Sequence, residues 1–138
     1  QIKKITFTAK DPLLTHLTDY TFDAVKNVGF NQAYKNLLNE LPLKLHKENN
    51  WINDLSATTT PPTDYYQTPI GKLVSLHACR PHDCPTYISL LYNPKTKELW
   101  GILHTDQKKF YLLNNPNMDQ TAILLIIAGS DLNIDNYP

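Results

Sequence analysis

The sequence predicts an α+β fold in a single domain spanning residues 1–138: a central antiparallel sheet of about five strands flanked by helices, with a protruding hairpin loop that carries both cysteines. Three observations predict it. A helical apolar period occupies 30–41, short alternating segments separated by turn residues fill 65–113, and an almost wholly apolar segment follows at 119–128. Hydrophobic residues make up 41% and charged residues 19%, too apolar for a disordered chain.

The N-terminal stretch alternates like a strand over Ile5–Ala9 and again over Tyr20–Val25, with Asp11-Pro12 breaking between them. From Phe30 the period changes. Phe30, Tyr34, Leu37, Leu38 and Leu41 form one apolar helix face, and Pro42 ends the helix. Trp51, Ile52 and Leu55 suggest a short further turn, and the polar, proline-bearing run Ser56–Thr63 is a loop. A meander follows. Tyr65–Gln67 turns at Pro69-Ile70-Gly71 into Lys72–Ala78, with Val74, Leu76 and Ala78 on one face. The cysteine-bearing loop leads to Thr86–Tyr92; Asn93–Thr96 turns into Glu98–Thr105, and Asp106-Gln107 into Lys108–Leu113. Asn114–Asn117 breaks the pattern, Asp119 is placed to cap a helix through Ala128, and Gly129 to end it. That last segment is apolar almost all round, as a helix buried on a sheet would be.

Thirteen basic residues balance thirteen acidic ones, which argues against a nucleic-acid protein held by bulk positive charge. The longest apolar run, Ala122–Ala128, is far short of a membrane span. No apolar targeting segment opens the chain, so any signal peptide is expected to have been removed.

Cys79 and Cys84 enclose Arg80, Pro81, His82 and Asp83. Three readings compete. A metal site would draw on Cys79, His82 and Cys84 with His77 and Asp83 nearby, but structural zinc sites draw ligands from two separated pairs and no second pair exists. A catalytic thiol would use His82 as its partner, yet no second cluster from distant sequence completes it. The favoured reading is a disulfide. A ring this short contributes only about 2 kcal/mol by chain entropy, but it holds one loop in one shape, and Pro81 and Pro85 stiffen it further. Such a loop is built to present the titratable His82, and the bond implies an oxidising compartment. No cofactor or metal is expected.

Cys79-Arg80-Pro81-His82-Asp83-Cys84 resembles the CKPHDC loop of the Ivy family, bacterial inhibitors of vertebrate (c-type) lysozyme, with Arg80 in place of the usual Lys. The flanking LVSLHAC and YISLLY segments, the Trp100-Gly101 pair, the late apolar helix and an Asn/Asp-rich tail are also similar. The resemblance covers residues 20–138 and leaves 1–19 as an N-terminal extension of unassigned role. One departure is Pro85, where the family carries Gly, which changes how the loop leaves the ring.

What the resemblance implies is a non-enzymatic, periplasmic protein whose rigid loop, residues 79–84, enters the lysozyme cleft. The family's key contact maps onto His82 and its disulfide onto Cys79 and Cys84; Arg80 and Asp83 flank them. Lysozyme works with two carboxyl groups, one protonated and one ionised, and an imidazolium between them donates from both nitrogens. Alternatives stay open: control of the bacterium's own lytic transglycosylases, a structural envelope module without inhibitory activity, and a homodimer. Elsewhere His77 and His104 read as half-buried sheet residues, His16 and His46 as surface residues, and Trp51 and Trp100 as core. The Tyr65-Tyr66 pair fits strand packing or a partner's rim equally well. Lys108-Lys109 is too short for a nucleic-acid patch.

Overall fold

The protein is described from a computed structural model covering residues 1–8, 10–105 and 108–132. Six strands form one antiparallel sheet in strict sequence order: β1 (Lys3–Ile5), β2 (Asp64–Thr68), β3 (Gly71–Arg80), β4 (Asp83–Tyr92), β5 (Leu99–His104) and β6 (Phe110–Leu113). The helices are α1 (Val28–Asn39), α2 (Leu43–Glu48) and α3 (Met118–Leu132). The fold class is therefore α+β, as the alternation and turns predict.

The sheet separates two cores because successive strand residues point to opposite faces. On one face Val74, Leu76, Ala78, Ile88, Leu90 and Leu103 pack against the α1 side chains Phe30, Tyr34, Leu37 and Leu38. Tyr34 donates to the carbonyl of Ile52 at 2.6 Å, and burial pushes its hydroxyl above the ordinary tyrosine range. On the other face Leu73, Leu91, Trp100 and Ile102 meet Ile123, Leu124, Ile127 and Ala128 of α3. Trp100 Nε1 donates to the carbonyl of Gln120 and pins that helix to β5. Beside it, Gly101 faces Leu90, where a Cβ would run into the Ser89 carbonyl and lie 2.7 Å from Leu90 Cδ2. Only glycine fits there.

Several expectations need correction. The sheet has six strands rather than about five, because Lys3–Ile5 pairs with Gln67–Tyr65, and residues 6–8 are not strand. Leu14 and Leu17 are buried in the α1-side core, so the N-terminal residues contribute to both the sheet and the packing beneath it. Tyr20–Val25 is not a strand. Thr21–Lys26 forms a 3-10 turn with Thr21 and Ala24 buried three apart, while Tyr20 and Phe22 stack in solvent at 5.2 Å and imitate alternation. α3 is capped by Asn117 rather than Asp119: Asn117 Oδ1 accepts from Gln120 N–H and Gln120 Oε1 from Asn117 N–H, a reciprocal capping box. Gly129 does not end α3, which runs to Leu132. Nor is α3 buried all round: Leu125 and Ile126 are 43% and 62% exposed, because the sheet covers only one face of it. The expected turn at Asp106-Gln107 and the Asn/Asp-rich tail at 133–138 lie outside the described residues.

Candidate functional site

β3 and β4 are joined by a two-residue turn, Pro81-His82, between the paired residues Arg80 and Asp83. Proline presets the first turn position and keeps Arg80 extended. His82 sits at the second with φ 63°, the left-handed region that a type II turn requires there. A non-glycine residue pays about 1–2 kcal/mol for that backbone, so the surroundings must impose it.

The imposing elements are all visible. Cys79 and Cys84 are disulfide-bonded with Cα atoms 4.7 Å apart, within the span such bonds need. Asp83 closes the turn from the other side. Its Oδ2 accepts from the Thr86 hydroxyl at 3.0 Å and lies 3.6 Å from Arg80 Nε. The register then jumps, with Cys79 opposite Tyr87, so Cys84, Pro85 and Thr86 are looped out as a bulge. Pro85 has no N–H to give a ladder, which suits a bulge. Its carbonyl accepts from His104 Nδ1–H at 2.6 Å, so the residue that departs from the resembled family is anchored to β5.

The shoulder of the turn is held as well. β2 leaves the edge of β3 after the Asp64–Ser75 pair, and the loop at 58–63 takes over that edge. Thr59 exchanges both backbone hydrogen bonds with Cys79, at 2.9 and 3.3 Å, and Thr21 Oγ1 accepts from His77 N–H at 3.0 Å. Beneath the bulge, the rings of His77, Tyr87, His104 and Phe110 run across β3 to β6 with centroids about 5 Å apart. A rigid, four-strand-wide base carries the tip.

What the tip offers outward is short. Pro81, His82, Cys84 and Pro85 are exposed, Arg80 and Asp83 are half-buried, and Cys79 is buried. The His82 ring has no hydrogen-bond partner among the described residues, whereas the Asp83 carboxylate is taken by Thr86 and Arg80. With both sulfurs in the bond, neither cysteine is a thiolate nucleophile or a metal ligand. Among the described residues no group of three or more His, Cys, Asp or Glu is placed to hold a metal ion.

The other singled-out residues lie apart from the tip or beneath it. His104 is buried and His77 half-buried, both under the bulge; His16 is exposed and His46 half-buried beside Asn53. Trp100 is core, and Trp51 is half-buried against the α1-side core. Tyr65 is buried, stacked on Phe7 at 5.0 Å, and Tyr66 is half-buried. Sequence reasoning missed Thr21, Thr59, Thr86 and His104 as supports of the tip. Only the threonine-rich run at 58–60 carried any signal, and it read simply as loop. No protein-family model, no curated protein and no solved structure matches the chain.

Proposed function

We propose that the protein inhibits c-type lysozyme by inserting the 79–84 loop into the enzyme's cleft, with His82 as the central contact. The carrying observation is His82 itself: exposed, unpartnered among the described residues, and held in a left-handed turn by a disulfide, two prolines and the Asp83 clamp. A loop already fixed in its docking shape loses little conformational freedom on binding, which raises affinity without added contacts. Between a protonated and an ionised carboxyl group, the imidazolium donates from both nitrogens in a water-poor site, where charge-assisted bonds are strong. Asp83 acts as a positioning residue, since its carboxylate already serves the turn. Arg80, with its side chain 43% exposed, supplies a further donor at the rim of the tip. The disulfide supports an oxidising location such as the periplasm.

The test is lysis of a peptidoglycan suspension by a c-type lysozyme titrated with the protein. Inhibition should saturate near one to one. His82→Asn, which tolerates the left-handed backbone and lacks the imidazole, should weaken it by about thirtyfold or more, a loss of about 2 kcal/mol. Unchanged inhibition by that variant rejects the tip as the site. Lysozyme unaffected but a lytic transglycosylase blocked in the same assay would redirect the target.

A further inference from the structure

At the opposite end of the sheet from the tip, a cavity of about 340 Å³ opens at the start of α1. Asn27 caps that helix: its Oδ1 accepts from Phe30 N–H at 2.9 Å, and its own N–H goes to the Ala24 carbonyl. The first intrahelical bond runs from Asn31 N–H to the Asn27 carbonyl. Among the described residues the N–H groups of Val28 and Gly29 are left without acceptors, two donors at the positive end of a twelve-residue helix.

The surroundings of those donors are cationic. Lys97 lays its stem over them from the β4–β5 turn, its Cε 3.6 Å from where a Cβ of Gly29 would be. Lys26 and His16 also line the cavity, no acidic side chain does, and the first turn of α1 holds no Asp or Glu. Lys26 has Asp23 at 3.4 Å, but Lys97 has no ion-pair partner among the described residues. Cations set against a helix N-terminus repel it. An anion in the cavity removes that conflict.

The independent pointer is Tyr92. Its side chain is only 1% exposed, its hydroxyl has no hydrogen-bond partner among the described residues, and it lines this cavity. The hydroxyl opens onto the cavity, so its proton is available to water or to a bound acceptor there. That hydroxyl lies 2.7 Å from the position a Gly29 Cβ would take. Any side chain at 29 would fill the space; glycine, otherwise unfavourable inside a helix, keeps it open. Burial pushes the Tyr92 phenol up, so it stays a protonated donor.

We infer that the cleft formed by the Val28 and Gly29 amides, the Tyr92 hydroxyl and the Lys97 ammonium binds a phosphoryl group, free or as a small phosphate monoester. Adjacent helix N–H groups, a hydroxyl and an ammonium converging from separate segments suit a tetrahedral oxyanion with several acceptor oxygens. The cavity leaves room for an organic substituent beyond the phosphate. This site is independent of the loop at the other end.

The experiment is amide-resolved NMR of the whole chain, titrated with inorganic phosphate and separately with glycerol 3-phosphate, at constant ionic strength against chloride. The Val28 and Gly29 amides should shift and saturate in the millimolar range or below; whichever titrant binds tighter identifies the free or esterified ligand. Lys97→Met should weaken binding about tenfold or more, and Tyr92→Phe about threefold or more. Because the Tyr92 hydroxyl has no protein partner, Tyr92→Phe should leave the thermal melt in place, which a structural role would not. Gly29→Ala should abolish saturation with the fold retained. Shifts that stay linear to tens of millimolar with both titrants, or saturation indifferent to Lys97→Met and Tyr92→Phe, overturn the site.

Discussion

β4 is bounded by two turns that solve the same backbone problem differently. At its start, His82 takes φ 63° in the Pro81-His82 turn; at its end, Lys97 takes φ 65° in the turn that leads to β5. The first is closed covalently, by Cys79–Cys84, with Asp83 and Thr86 beside it. The second is closed by hydrogen bonds centred on buried Asn93: its Oδ1 accepts from the Lys95 and Thr96 amides at 3.0 and 3.1 Å, its carbonyl from Lys97 N–H at 2.7 Å, and its own N–H donates to the Glu98 carbonyl. The difference follows from packing. Asn93 and Pro94 are buried against the body of the fold, so hydrogen bonds there are shielded from water and sufficient. The His82 turn stands in solvent, where hydrogen bonds alone compete with water, and only a covalent tie holds a strained turn in one shape. One turn folds its cation back over α1; the other presents its imidazole outward.

This contrast is open to attack at several points. The largest expected effect divides the two ends by stability. Tyr92→Ala removes a side chain that packs edge-on against Phe30 at 5.4 Å, and should cost about 3–5 kcal/mol in denaturant melts. His82→Asn in the same assay should move stability by less than about 0.5 kcal/mol. Similar losses from both would break the distinction between a packed and a projecting end. Next in size is the double replacement Cys79→Ser with Cys84→Ser. Ring-closure entropy sets its cost at about 2 kcal/mol, while lysozyme inhibition should fall markedly, since the turn loses its tie. Intact inhibition by this variant would show that Asp83, Thr86 and Thr59 suffice without the bond. The smallest effect is expected at the buried turn, where Lys97→Gly relieves the left-handed backbone and should raise stability by up to about 1 kcal/mol. A net loss would mean that the Lys97 stem over α1 holds its turn.

The parts legible in the sequence are those set by neighbours along the chain. Period-two segments with turn residues between them placed β2 to β6, and the spacing of Phe30, Tyr34, Leu37 and Leu38 placed α1. The Pro81-His82 turn and the cysteine pair could be read because ring, prolines and histidine lie within a few residues. What escaped was decided by distant partners. β1 is three residues whose register depends on Tyr65–Gln67, far along the chain. The bulge at Cys84–Thr86 is anchored by His104 from β5, while Thr59 holds the backbone of Cys79 on the neighbouring strand, and no local pattern announces a register jump. The cleft at α1 is assembled from Gly29, Tyr92 and Lys97, three unremarkable residues in separate segments. Cap choice failed for a subtler reason: Asp119 and Asn117 are both good caps, and the reciprocal bond with Gln120 decides between them.

The strand order has a kinetic consequence. All five pairings join consecutive strands, and in four of them the connection is a short turn, so each of those hairpins can form from nearby residues at small loop-closure entropy. The β1–β2 pairing alone must close a loop of about sixty residues, from Ile5 to Tyr65, and that loop contains α1 and α2. Loop-closure entropy therefore favours forming the local hairpins first and adding the N-terminal strand last. β1 adds only three paired residues at the edge of the sheet, so it is the pairing expected to open most readily once the protein is folded.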